Sequence, residues 1–250
     1  MYLYLYDTYL NTPKYDGVLT RIETRLIDLG INGRVEKLSI LKNLKEILLD
    51  GVKEGARTVV AVGNDSTFRK VFNVVASLPV TLGYIPVGAN HLANVLGIPA
   101  EDKACDVLSQ RIIERVDLGK VNDHYFFSVL EVPKAEQVTI ECNRTFRIHP
   151  RRLNETIQIC NFGEVFRGRV GSMHNPHDGK LEAMFHTAKR KRLHATHKLD
   201  SVFSVKEMRI SSREKAVTLL ADGETQISTP AMVNVVPHKL KLIVGKKRMF

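Results

Sequence analysis

The sequence has no tryptophan, only three cysteines and few aromatics, 7% of 250 residues. Cys105, Cys142 and Cys160 are an odd number with no CxxC pair. That excludes a disulfide framework and a cysteine-based zinc site, and it suits a reducing compartment. No stretch reaches the roughly 18 consecutive apolar residues of a membrane-spanning helix. The start, Met1-Tyr2-Leu3-Tyr4-Leu5-Tyr6-Asp7, has neither a basic flank nor a small-residue cleavage site. It reads as a buried strand rather than a secretory signal, so a cytoplasmic location is expected. Low-complexity tracts and internal repeats are absent. With 44% hydrophobic and 26% charged residues, the chain is expected to be globular rather than disordered or fibrous.

Positive charge is in excess, with Lys+Arg 37 against Asp+Glu 27 and a net charge of +10. That balance attracts polyanions: anionic lipid, phosphate ligands or nucleic acid. The densest basic run is Lys189-Arg190-Lys191-Arg192. It reads either as a solvated loop or as a contact with an anionic membrane surface. No nucleic acid is expected, because aromatic residues do not interleave with it and no binding motif appears. His174 and His177, and His194 and His197, are spaced three apart. In a strand-rich half they read as surface histidines rather than zinc ligands.

The two halves differ in period. Up to residue 112, strand-like and helix-like runs alternate. Tyr2–Tyr6, Thr58–Val62 and Thr81–Ile85 are strand-like, and the middle one is a continuous apolar run suited to burial on both faces. Val18, Leu19, Ile22, Leu26 and Leu29 recur at helical spacing before Gly30, a plausible C-cap. Ser39 is a candidate N-cap for a second helix carrying Leu41, Leu44, Ile47, Leu48 and Val52. A third helix carries Phe68, Val71, Phe72 and Val75. This alternation predicts an α/β domain with a parallel sheet over 1–112. Residues 113–235 read as many short strands, hence an antiparallel β-sandwich, and 236–250 as a C-terminal segment returning to the first domain. No Gly/Ser linker marks the boundary.

Val59-Val60-Ala61-Val62-Gly63-Asn64-Asp65-Ser66-Thr67-Phe68 is the most informative stretch. A buried strand ends in a glycine and small polar residues, and a helix starts at once. Ligands of parallel sheets bind beyond such strand ends, and amides at a helix start can hold a phosphate. Asp65 is a candidate to hold Mg²⁺ or orient a phosphoryl group, and Thr67 to donate to a phosphate oxygen. The alternative is an ordinary turn with Asp65 or Ser66 as N-cap.

Downstream come Pro86-Val87-Gly88-Ala89-Asn90-His91, Leu96-Gly97-Ile98-Pro99, Val116-Asp117-Leu118-Gly119-Lys120-Val121-Asn122, Asn175-Pro176-His177-Asp178-Gly179-Lys180-Leu181 and Ala221-Asp222-Gly223-Glu224. In this order the motifs resemble the diacylglycerol kinase catalytic-domain family, including its bacterial lipid-kinase and sphingosine-kinase-like members. The resemblance implies an NAD kinase/diacylglycerol kinase-like nucleotide-binding domain plus a β-sandwich. It implies transfer of the γ-phosphoryl group of ATP to a lipid hydroxyl in the cleft between the domains, with Mg²⁺. By position, Gly63, Asn64, Asp65, Ser66 and Thr67 would line the phosphates, with Gly88 and Asn90 in the neighbouring loop. Asp178 would hold Mg²⁺ with the carbonyls of Asn175 and Lys180, and Glu224 would be the general base with Asp222 beside it. The expected partners are nucleotide and a lipid substrate at an anionic membrane surface, with peripheral membrane association; a second copy of the chain is a candidate partner.

This chain also departs from the family pattern. Glycines at the second and fourth positions of G-G-D-G-T become Asn64 and Ser66. If the fourth place needs a positive φ, Ser66 is strained by roughly 1–2 kcal/mol. The family's loop after the first strand, N-P-x-S-G, is replaced by Asp7-Thr8-Tyr9-Leu10-Asn11-Thr12-Pro13, and His91 stands in place of an aspartate. A catalytically impaired nucleotide- or lipid-binding homologue is therefore the alternative to a kinase.

Overall fold

The computed structural model describes residues 1–39, 43–150, 155–162, 175–190 and 195–250, apart from the side chains of 155, 187–190 and 195–200. The chain forms two compact units, Met1–Val116 with Leu240–Phe250, and Asp117–Lys239.

The first unit is built on strands β1 (Tyr2–Tyr6), β2 (Arg34–Lys37), β3 (Thr58–Gly63) and β4 (Thr81–Pro86), with helices α1 (Asp16–Asp28), α2 (Leu44–Lys53), α3 (Asp65–Val75), α4 (His91–Val95) and α5 (Lys103–Gln110). The sheet is parallel in the order β2-β1-β3-β4. β3 and β4 are buried along their whole length, as expected for strands covered on both faces. The helices bury one stripe each: Ile22 and Leu26 on α1, Leu48 on α2, and Phe68, Val71, Phe72 and Val75 on α3.

Two local expectations change. Asn43, not Ser39, caps α2, its side chain accepting from the Lys45 amide. The helix starts at Leu44, and Leu41 lies outside the described residues. β2 was not anticipated, because Arg-Val-Glu-Lys is a short polar edge strand with little hydrophobic signal.

The second unit has the sheet strands β5 (Ile113–Val121), β6 (His124–Phe126), β7 (Val129–Val132), β8 (Val138–Cys142), β9 (Phe146–Ile148), β10 (Glu155–Cys160), β11 (Leu181–Arg190), β12 (Ala195–Val205), β13 (Glu207–Ser212), β14 (Thr218–Ala221), β15 (Thr225–Ser228) and β16 (Ala231–Ile243). One antiparallel sheet runs β12-β11-β10-β7-β14-β15, and in another β13 pairs with both β16 and β8, which pairs with β9. Alternate residues of both sheets, among them Leu130, Ile140, Ile157, Ile159, Leu181, Met208, Ile210, Leu219 and Val233, form one core.

The divisions fall at Val116/Asp117 and Lys239/Leu240, four residues later than the sequence pattern placed them. Both lie inside strands, β5 and β16, so no loop marks a boundary. The end of β16 runs parallel to β4, pairing Lys241 with Thr81 and Leu242 with Leu82.

Candidate functional site

In the first unit, the candidate residues converge where β3 meets α3. Asn64 is extended, with φ −93° and ψ −175°, and forms a capping box. Its Oδ1 accepts from the Thr67 amide at 3.0 Å, and its own amide donates to Thr67 Oγ1 at 3.1 Å. Ser66 lies in the first turn of α3, and neither it nor Asn64 has a positive φ. The expectation of a strained Ser66 is thus corrected: a helical serine carries no such cost. Gly63, in contrast, is required. Its φ is +155°, and a Cβ there would meet Thr67 Oγ1 at 2.3 Å.

Thr67 is fully buried and donates to Asp7 Oδ2 at 2.6 Å. The hydroxyl proton expected to face a phosphate oxygen is therefore given to a carboxylate at the end of β1. Asp65 is also engaged. Its Oδ1 accepts from Tyr84 Oη at 3.1 Å, its Oδ2 accepts from the Leu92 amide at 3.2 Å, and its amide donates to Ala89 O at 3.3 Å. Burial, then the Asp65 charge that accepts its bond, pushes the Tyr84 phenol well above its ordinary pKa. Asp65 thus ties α3 to β4 and to the start of α4. Asn90 donates to Gly88 O at 2.9 Å, closing the neighbouring loop on itself. Tyr9, from the segment replacing the family's first loop, donates to Val87 O at 2.6 Å.

These bonds decide how a triphosphate would fit. The strand–glycine–helix path is present. The amides of Asn64, Asp65 and Thr67 already have partners within the protein, so the amide cradle does not fit a phosphate as it stands.

In the second unit, the Asp222-Gly223-Glu224 turn joins β14 to β15. Asp222 and Gly223 both have positive φ, 50° and 75°, and the Glu224 amide donates to Ala221 O at 3.0 Å. That is the Asp-Gly pattern of a tight hairpin. The buried Asp222 carboxylate accepts from the amides of Phe127 at 2.6 Å, Ser128 at 2.7 Å and Val129 at 3.0 Å. Its own amide donates to Val129 O at 2.8 Å. Such a carboxylate is a fixed anchor, whereas Glu224 is exposed on the same turn.

Asp178 is exposed, and its Oδ1 accepts from the Lys180 amide at 3.0 Å. The Asp178 amide donates to Asn175 O at 3.4 Å, and Asn175 Oδ1 accepts from the His177 amide at 3.1 Å. A carboxylate with turn carbonyls is a set of hard oxygens, which fits Mg²⁺. Among the described residues, no group of three or more His, Cys, Asp or Glu is placed to hold a metal. The histidines at 174 and 194 and residues 191–192 of the basic run lie outside the described residues, as do the side chains of Lys189, Arg190 and His197.

Two residues absent from the sequence-based site hold this region together. Asp117, fully buried, accepts from the amides of Gly179 and His238 at 2.8 Å each, and its own amide donates to Pro176 O at 2.7 Å. Asp117 therefore fixes the turn that carries Asp178. Asn161 donates to Asp117 O at 2.8 Å and to Phe127 O at 2.9 Å, linking the Asp117 and Asp222 networks. An aspartate between Val116 and Leu118 in an apolar strand was the available signal for the first; nothing local marks Asn161.

Residues 6–121 match the family model for the diacylglycerol kinase catalytic domain. The chain is 27% identical over 137 residues to a diacylglycerol kinase of Staphylococcus carnosus (strain TM300), covering 48% of this chain and 45% of that protein. It is 33% identical over 103 residues to one from Staphylococcus saprophyticus subsp. saprophyticus, covering 37% and 34%. The matches thus span less than half the length of these relatives. A crystal structure of a diacylglycerol kinase from Bacillus anthracis str. Sterne superposes with a TM-score of 0.77 at 16% identity, over 99% of this chain and 98% of that one. That likeness shows a shared fold from end to end. Residues 6–121 are thus similar to the diacylglycerol kinase catalytic domain, and the chain as a whole shares the fold of the Bacillus anthracis protein.

Proposed function

We propose that the chain is a lipid kinase that places a phosphoryl group from ATP on the hydroxyl of a diacylglycerol-like lipid at an anionic membrane surface. The observation that carries this reading is the Asp222-Gly223-Glu224 turn. Three amides fix Asp222, so the turn is rigid, and Glu224 stands exposed one residue beyond the glycine. An alcohol is a poor nucleophile until its proton is removed. A carboxylate held on a rigid hairpin can take that proton, a contribution of roughly 10²–10⁴-fold. Asp178, with the carbonyls of Asn175 and Lys180, would hold Mg²⁺, which offsets phosphate charge when bound. Asp117 keeps that turn in shape from beneath.

Transfer of label from ATP into a lipid extract with Mg²⁺ tests the reading. Wild-type protein should label lipid, Glu224→Gln should lower the rate by roughly 10²–10⁴-fold, and Asp178→Asn should need more Mg²⁺. Absence of lipid label in the wild type sinks the proposal. The second reading, a catalytically impaired binding homologue of the same fold, is favoured by one observation: the amides at the start of α3 are taken by internal partners.

A further inference from the structure

We infer that the outward face of the second unit's sheet, β6-β5-β16-β13-β8-β9, is the surface that docks on an anionic lipid bilayer, through Lys120, Arg209 and Lys239 together with Tyr125 and Met232. The inference deepens the membrane part of the reading above and rests on it, and its test is a binding measurement that needs no turnover.

An antiparallel sheet can bury one face on the core and leave the other to solvent. Here Val121, Phe126, Ile140, Ile210 and Val233 mark the buried face. Residues of the opposite parity look outward, and the strand registers set them side by side. Lys120 lies opposite Tyr125; Met232 lies opposite Arg209, which lies opposite Glu141, which lies opposite Arg147. Asn122 fastens the end of β5 to β16: its amide donates to Met232 O and its Oδ1 accepts from the Met232 amide, at 2.9 Å each. Glu141 and Glu207, the acids of these rows, are already taken, by Arg147 at 3.3 Å and by Arg144 at 2.7 Å. Lys120, Arg209 and Lys239 have no carboxylate partner among the described residues. Both lysines instead approach one aromatic ring, with Lys120 Nζ 5.9 Å and Lys239 Nζ 5.4 Å from the Tyr125 centroid.

Unpaired cations attract an anionic leaflet, and each one near its surface strengthens binding about fivefold. Charge alone would suit a nucleic acid equally well, so the neutral residues decide the partner. Met232 is 45% exposed on this face. A nucleic acid backbone offers that side chain no apolar surface, whereas a bilayer does. A tyrosine flanked by lysines has the apolar body and polar tip that settle at the headgroup level.

The chain has no tryptophan, so Met232→Trp places a single fluorescent reporter on the face. Sedimentation of the full chain with phosphatidylglycerol–phosphatidylcholine vesicles, and the emission of that reporter, test the inference. Wild type should bind these vesicles and not phosphatidylcholine alone. The triple change Lys120→Gln, Arg209→Gln and Lys239→Gln should weaken binding about a hundredfold. The control Lys45→Gln, Lys70→Gln and Lys103→Gln removes the same charge at exposed positions off this face. It should weaken binding by less than about threefold, because salt confines the attraction to charges near the contact. The Met232→Trp emission should shift to the blue with anionic vesicles and not with duplex DNA. No vesicle binding by the wild type, equal losses from the two triple variants, or vesicle binding without the blue shift overturns the inference. Docking by this face without lipid labelling from ATP upholds it and counts against the kinase reading alone.

Discussion

Replacing Asp222 with asparagine should unfold or loosen the second unit more than any other conservative change in the site. The substitution keeps the volume, and asparagine also accepts the positive φ of 50° that this turn position requires. What changes is charge and acceptor capacity. The carboxylate now receives three amides, at 2.6, 2.7 and 3.0 Å, at a residue that is 7% exposed. An asparagine can turn its oxygen to the Ser128 and Val129 amides, which share Oδ1 at present. Its NH₂ would then face the Phe127 amide, donor against donor. Hydrogen bonds to a charged group contribute roughly 1.5–3 kcal/mol each, and a buried amide left without a partner costs roughly 1–3 kcal/mol. One lost bond and two weakened ones give an expected cost of about 3–4 kcal/mol. With two compact units, a single global transition is not guaranteed. Hydrogen exchange at residues 127–129, followed alongside urea unfolding, reads the effect where it arises. The Phe127 amide should lose most protection, with α3 in the first unit unchanged. If Asp222→Asn leaves exchange at 127–129 unchanged and shifts stability by under about 0.5 kcal/mol, Asp222 is not the anchor described above.

Gly63→Ala puts a Cβ 2.3 Å from Thr67 Oγ1, so the capping box must break or the strand end must shift. Urea unfolding should show a loss of about 2–3 kcal/mol, and no loss would mean that the loop adapts freely. Burial pushes the thiol of Cys105 up to about 12 and that of Cys142 up to about 11. In the unfolded chain both titrate near 8.5. The folded pKa is the raised one, so this contribution to stability is fully present below about pH 8.5 and is lost as pH rises toward 11 and 12. Both thiols should be inert to a thiol reagent at about pH 8 in the native protein and react on unfolding; fast native labelling of either, located by mass spectrometry, would contradict the burial.

The sequence alone determined the alternation of period in the first half, because strands buried on both faces must be continuous apolar runs and their helices must repeat an apolar stripe. Thr58–Val62 and the Phe68–Val75 stripe were legible for that reason, and the loss of helical period after residue 112 announced a β-rich second half. The Asp222-Gly223-Glu224 segment stood out only by its resemblance to a family motif, and the backbone showed it to be a tight hairpin turn. Tertiary structure decided which of the candidate groups are available. Asn64 and Ser66 looked like a strained substitution for glycine; the backbone resolved it by starting the helix at once and letting Asn64 cap it. Thr67 and Asp65 have the chemistry of phosphate ligands, yet their partners, Asp7, Tyr84 and Leu92, come from separate stretches of the chain. Asp222 read as a companion to the base and is an anchor, because the amides of 127–129 arrive from about ninety residues away. Asp117 and Asn161 went unread for the same reason: a buried polar residue takes its role from partners that only folding brings within hydrogen-bonding distance.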